Sequence, residues 1–102
     1  MRLTGRVVDD PGRPLADLTV RAYDKDIVFD DELGTTTTGA DGTFRIDFTE
    51  LQYTMSARDP DLYIRIFDSS GDKLLFSSES EIRRTKTIEE HYDVAIPRSM
   101  LS

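Results

Sequence analysis

Apolar residues recur at every second position along much of this chain. Leu18-Thr19-Val20-Arg21-Ala22 alternates, as do Phe44-Arg45-Ile46-Asp47-Phe48 and Tyr92-Asp93-Val94-Ala95-Ile96. A period of two is that of a β-strand with one face buried. Between such runs lie Asp10-Pro11-Gly12, Gly39-Ala40-Asp41-Gly42 and Ser69-Ser70-Gly71-Asp72. Each offers a glycine, for which positive φ is easy, beside an Asp or Ser that can bond its own backbone. The pattern predicts seven strands, over residues 2–8, 17–23, 35–38, 43–48, 62–68, 73–78 and 91–96. The third rests only on the β-propensity of four consecutive threonines. Residues 79–90 read as a charged loop with room for a short turn.

Short strands at this spacing indicate an all-β sandwich. Taking every second residue as inward gives a core of Leu3, Val7, Leu18, Val20, Ala22, Phe44, Ile46, Leu62, Ile64, Ile66, Leu74, Phe76, Val94 and Ile96. Length changes this picture little. The 102 residues make one domain, read here as a sandwich over 1–97 and a tail or linker start over 98–102. There is no cysteine, which excludes disulfides and thiol chemistry. No stretch has the length of a membrane span, and Met1 to Gly5 lacks the apolar core of a signal peptide, so a soluble protein is expected. Lys and Arg number 13 against 20 Asp and Glu, a net charge of −7 that disfavours nucleic acid and anionic membranes.

Two motifs carry a family resemblance. The run from Gly5 to Val20, with Asp9-Asp10-Pro11-Gly12 and Pro14-Leu15, resembles the opening of transthyretin-like and carboxypeptidase-regulatory-like domains. Thr38-Gly39-Ala40-Asp41-Gly42-Thr43-Phe44-Arg45-Ile46 resembles the hairpin of the same families. Pro60 to Asp68 is similar to sandwich modules of large bacterial proteins, some insecticidal toxin-complex components among them. The resemblance implies a seven-stranded antiparallel Greek-key β-sandwich of the transthyretin-like (prealbumin-like) kind. It implies a structural or binding module, because such domains serve as spacers and appendages on unrelated proteins. Two enzyme classes share the topology. The hydroxyisourate hydrolases need several histidines, and the intradiol dioxygenases bind iron through two tyrosines and two histidines; this chain has one histidine, His91.

Three constellations remain as chemistry. A Ser–His–acid triad would have to use His91, and no serine lies in a nucleophile-elbow pattern. Alternating strand directions bring the loops 24–34, 49–61 and 79–90 to one end of the sandwich. That end collects Asp24, Asp26, Asp30, Asp31, Glu32, Asp59 and Asp61, of which Asp24, Asp26, Asp31, Asp59 and Asp61 are candidate calcium ligands, since hard cations take several carboxylate oxygens. Asp24-Lys25-Asp26 and Asp31-Glu32-Leu33-Gly34 resemble the calcium loop of phospholipid-binding C-two domains, one residue shorter. Lys25, Arg58, Arg83, Arg84 and Lys86 lie in the same loops and could instead neutralise the acids.

Last, if Leu62, Ile64 and Ile66 point inward, then Tyr63, Arg65 and Phe67 point outward, beside Arg21 and Tyr23 of the second strand. Aromatic residues and arginine are the types enriched at interface hot spots. Tyr23, Tyr63, Arg65 and Phe67 are therefore candidate partner-binding residues, unless the loop 79–90 covers them. The sequence is read as a non-enzymatic β-sandwich that binds a protein partner or the rest of a larger assembly. The alternative is a calcium-dependent adhesion or ligand-binding module, and a small hydrolase comes third.

Overall fold

A computed structural model describes residues 2–25, 29–48, 61–84 and 89–101. The chain is all-β, with two sheets packed face to face and no α-helix among these residues. The strands are β1 (Arg2–Asp9), β2 (Thr19–Asp24), β3 (Asp31–Thr37), β4 (Thr43–Asp47), β5 (Asp61–Phe67), β6 (Leu74–Ser77), β7 (Arg83–Arg84) and β8 (Glu89–Ile96). All seven expected strands are present with shifted ends, and the two-residue β7 is added within the stretch read as loop. One sheet has the order β4-β1-β8; the other runs β3-β2-β5-β6, with β7 also on β5.

The antiparallel expectation holds for β1 with β4, for β2 with β3 and β5, and for β5 with β6 and β7. It fails between the first and last strands. β1 and β8 pair in parallel, Val7 opposite Val94. Two parallel strands need a long connection between them, and here the chain passes through β4 and the other sheet before β8.

The Gly39–Gly42 turn also departs from expectation. Gly42 has φ +78° and its N–H donates to the Gly39 carbonyl at 2.9 Å. The Asp41 carboxylate accepts from the Thr43 N–H and hydroxyl. The turn chemistry is as read, but β3 and β4 lie in different sheets. The turn is thus a link across one seam of the sandwich, not a hairpin. Thr38 helps hold it, taking the Leu18 N–H at 3.0 Å and donating to the Leu15 carbonyl.

The core follows the alternation except at two bulges. Leu3, Val7, Val20, Ala22, Leu62, Ile64, Ile66 and Ile96 are wholly buried, with Leu18, Phe44, Ile46 and Val94 nearly so. Between Ile66 and Phe67 the register with β6 shifts, so Phe76 faces Ile66 while Leu74 faces Phe67. A bulge adds a residue and reverses the side-chain phase. Leu74, expected inside, is therefore 44% exposed, Leu75 is 7% exposed and Phe76 is half-buried. A second shift between Ala22 and Tyr23 turns Leu33 of β3 into the core. Phe48 and Tyr92 complete it. Beyond residue 97 the chain turns back: Arg98–Met100 forms a 3-10 turn, and Met100 packs on the core.

Candidate functional site

The outer face of the larger sheet is built by register. Arg21 of β2 stands opposite Arg65 of β5, Tyr23 opposite Tyr63 and Thr19 opposite Phe67. Burial alternates along β2, leaving Thr19, Arg21 and Tyr23 half-buried and facing out. The same alternation on β5 turns Tyr63, Arg65 and Phe67 outward.

Tyr63, expected to be exposed, is 0% exposed. Its ring stacks on Tyr23, centroids 5.0 Å apart and planes 16° from parallel. Its hydroxyl donates to the Asp30 carboxylate. The Arg65 guanidinium lies over both tyrosines, 5.3 Å from Tyr23 and 5.4 Å from Tyr63. Glu79, in a one-turn 3-10 helix (Glu79–Glu81), receives Arg65 at 2.5 Å and Lys25 at 2.6 Å. Lys25 also reaches Asp30 at 3.7 Å. Two loops thus close over the tyrosine that alternation places outside.

The electrostatics follow from this enclosure. Burial and the hydrogen bond to Asp30 push the Tyr63 hydroxyl above the usual tyrosine range. The hydrogen bonds from Lys25 and Arg65 hold Glu79 below its usual value, and the bond to Glu79 raises Lys25. Burial works most strongly against the Arg65 charge, but Glu79 together with Tyr63 and Tyr23 outweighs it and raises its pKa.

What stays accessible is narrower than expected. Arg21 sits 4.8 Å over the Phe67 ring and 3.9 Å from Glu32. Arg21 and Arg65 side chains are 36% and 34% exposed. Leu74, facing Phe67 across the bulge, adds the exposed apolar side chain that alternation had placed inside. The accessible set is Arg21, Tyr23, Arg65, Phe67 and Leu74, with Tyr63 as its buried support.

The acidic residues are distributed differently. Asp26 and Asp59 lie outside the described residues. Asp24 is buried and its carboxylate accepts the Asp61 N–H at 2.8 Å. Asp61 pairs with Arg84 at 2.9 Å. Asp31 is not in a loop: it begins β3, in register with Asp24. So Asp24, Asp31 and Asp61 do meet at one end, and Asp24 and Asp61 take protein donors there. Among the described residues, no group of three ligating side chains has metal-site geometry.

His91 has a partner the sequence did not suggest. Its Nδ1 lies 2.9 Å from the Thr4 hydroxyl and its Nε2 lies 3.0 Å from Asp93. The hydroxyl belongs to a threonine 87 positions away, brought alongside by the parallel β1–β8 register, and no serine pattern signals it. The order hydroxyl–imidazole–carboxylate is that of a nucleophilic triad. Two features distinguish it from a buried, enclosed triad. Asp93 is 81% exposed, so water screens its charge. β1 is the central strand of its sheet, and Thr4 is paired with Arg45 on one side and His91 on the other.

No protein-family model matches this chain, and no curated protein matches it. Solved structures do. A 9R-lipoxygenase from Cyanothece PCC8801 aligns with TM-score 0.64 and 21% identity over 94% of this chain. This chain spans only 16% of that enzyme's length. The dioxygenase domain of a dioxygenase carbohydrate-binding protein fusion from the cellulolytic bacterium Streptomyces sp. SirexAA-E aligns with TM-score 0.55 and 14% identity, over 94% of this chain and 78% of that one. A 3-chlorocatechol 1,2-dioxygenase from Rhodococcus opacus 1CP gives 0.49 and 16%, over 94% and 58%. At these identities the likeness to the lipoxygenase and the dioxygenase domain is one of fold: this chain shares their β-sandwich.

Proposed function

We propose that this chain is a non-catalytic β-sandwich module, of the transthyretin-like Greek-key kind, that docks a protein partner or another part of a larger assembly. The observation that carries the reading is the arginine pair on the outer face. Arg21 and Arg65 stand directly opposite each other on neighbouring strands. Like charges so placed destabilise a sheet. Each guanidinium lies over an aromatic ring and is balanced at the rim by one glutamate, Glu32 or Glu79. Beside them Phe67 and Leu74 supply apolar area. The complement is a protein surface with carboxylates flanking an apolar side chain. A sugar platform fits less well, because the arginines occupy the ring faces a sugar would stack on.

The enzymatic readings draw less support. The name of the dioxygenase domain belongs to that protein, and one histidine does not provide an iron site of two tyrosines and two histidines. A calcium role would have to share Asp24 and Asp61, each of which already gives one oxygen to a protein donor. Arg21→Glu with Phe67→Ser should abolish retention of a partner that wild-type protein pulls from its own host's extract, with the melting temperature unchanged. Equal retention by both proteins counts against the docking face. A melting temperature raised by millimolar calcium, and lost in Asp24→Asn, favours the cation reading instead.

A further inference from the structure

The outer face of the smaller sheet carries a cluster that the docking face does not use. Glu89, His91 and Asp93 share the exposed side of β8, and Thr4 of β1 stands opposite His91. Asp93 lies 3.0 Å from Nε2 of the ring, and the Thr4 hydroxyl lies 2.9 Å from Nδ1. A carboxylate only accepts, so it keeps the proton of the neutral imidazole on Nε2. Nδ1 then presents its lone pair, and the Thr4 hydroxyl donates to it.

Three other threonine hydroxyls are placed differently. Thr43 donates to the Asp41 carboxylate, Thr35 to Glu32 and Thr38 to the Leu15 carbonyl. Carboxylates and carbonyls are weaker bases than an imidazole, so these acceptors draw a hydroxyl proton less than Nδ1 does. Thr4 is also reachable. An open cavity of about 600 Å³ is lined by Arg2, Thr4, Glu89, Glu90 and His91. On the other side of Thr4 stands Arg45 of β4, a cation one strand from the hydroxyl.

We propose that Thr4 is a covalent acyl-acceptor site, with His91 as its base and Asp93 as the positioning residue, and that the acyl donor is a small thioester. The Thr4 oxygen attacks the thioester carbonyl while Nδ1 takes the hydroxyl proton. An oxygen–carbon bond forms, the carbon–sulfur bond breaks, and His91 returns the proton to the departing thiolate. The products are a threonine ester and a free thiol, with nothing oxidised or reduced. An open site stabilises the transition state little, so the donor must itself be activated: acyl transfer from a thioester to an alcohol runs downhill, and from an alkyl ester it does not. The site goes beyond the docking reading and lies on the opposite sheet, so either can fail alone.

The test incubates the full chain with the acetyl thioester of N-acetylcysteamine, removes the reagent and maps acetylation by tryptic mass spectrometry. Trypsin releases Leu3–Arg6, which holds no lysine and whose only hydroxyl is that of Thr4, so an acetyl group on it reports position 4. The peptide Asp26–Arg45, with Thr35 to Thr38 and Thr43, is the internal reference. Leu3–Arg6 should be acetylated at least about tenfold faster than the reference, somewhat less than a positioned base supplies in an enclosed site. Thr4→Ser should keep the excess, Thr4→Val should abolish the label, and His91→Gln should bring the rate down to the reference. Asp93→Asn changes a side chain that is 81% exposed, so it should slow acetylation without moving the melting temperature. Arg21→Glu, on the other sheet, should leave the rate as in wild type. A rate equal to the reference, an excess that survives His91→Gln, or an unchanged rate in Asp93→Asn overturns the proposal.

Discussion

Gly5 gives the sharpest prediction about the fold. It is an inward position of the central strand β1, opposite Phe44 on one side and Tyr92 on the other. A Cβ added there would lie 2.3 Å and 2.4 Å from two ring carbons of Phe44 and 2.6 Å from the Tyr92 carbonyl oxygen. Carbon pairs rest near about 3.5–4.0 Å, so the ring would have to retreat by more than about 1 Å. It has nowhere to go, because Phe44 is itself buried. The carbonyl belongs to the β1–β8 ladder and moves only if the strands separate. Overpacking a core typically costs about 1–3 kcal/mol, and the backbone contact puts Gly5→Ala at the upper end. For a domain of this size about 3 kcal/mol lowers the melting temperature by about 12–24 °C. Chemical denaturation and thermal melting of Gly5→Ala check this. The double variant Gly5→Ala with Phe44→Leu should recover part of the combined loss, since the smaller side chain clears the ring contact and leaves the carbonyl one. A Gly5→Ala protein that melts within about 2 °C of wild type would refute the packing of β1 under Phe44.

Gly42→Ala should destabilise far more than Gly12→Ala, although both glycines have positive φ, because a Cβ at Gly42 meets the Val7 carbonyl at 2.4 Å and one at Gly12 meets nothing; denaturation midpoints compare them. Leu75→Ala should cost about 2–5 kcal/mol and Leu74→Ala within about 0.5 kcal/mol, and the reverse order would place the β6 bulge elsewhere. The raised Tyr63 hydroxyl makes an alkaline limit: the unfolded chain ionises its tyrosine first, near pH 10, so stability falls as pH rises above that value. Tyr63→Phe should flatten that fall in melts taken between pH 9 and 11, and an unchanged slope would deny the enclosure of Tyr63.

Local chemistry explains what the sequence disclosed. Alternation located the expected strands other than β3, which threonine β-propensity marked, and the inward faces of β1, β2, β4, β5 and β8, because each turns one side to the core and carries no extra residue within its own run. It erred at Leu74 and missed Leu33 because a bulge is a property of two paired strands and leaves no mark in one. The Asp41-Gly42 signal named a turn with positive φ correctly. It could not say whether the flanking strands pair, and they do not. The outer-face residues were found by the same alternation, but the cover over Tyr63 was not: Asp30 lies 33 positions from Tyr63, and Glu79 lies 14 positions from Arg65. Tertiary ion pairs of that kind have no sequence period. The Thr4–His91 contact was hidden for the same reason, since it depends on the parallel pairing of the two ends of the chain.

The central claim is that the β2–β5 outer face touches a partner. Position-specific photocrosslinking tests it most directly, with a photoreactive phenylalanine analogue at position 67 on that face or at position 45 on the outer face of the other sheet. Expressed in the native host, the position-67 protein should yield one discrete crosslinked species on a denaturing gel, lost with Arg21→Glu, and the position-45 protein should yield none. Equal crosslinking from both positions, or none from position 67, would contradict the account.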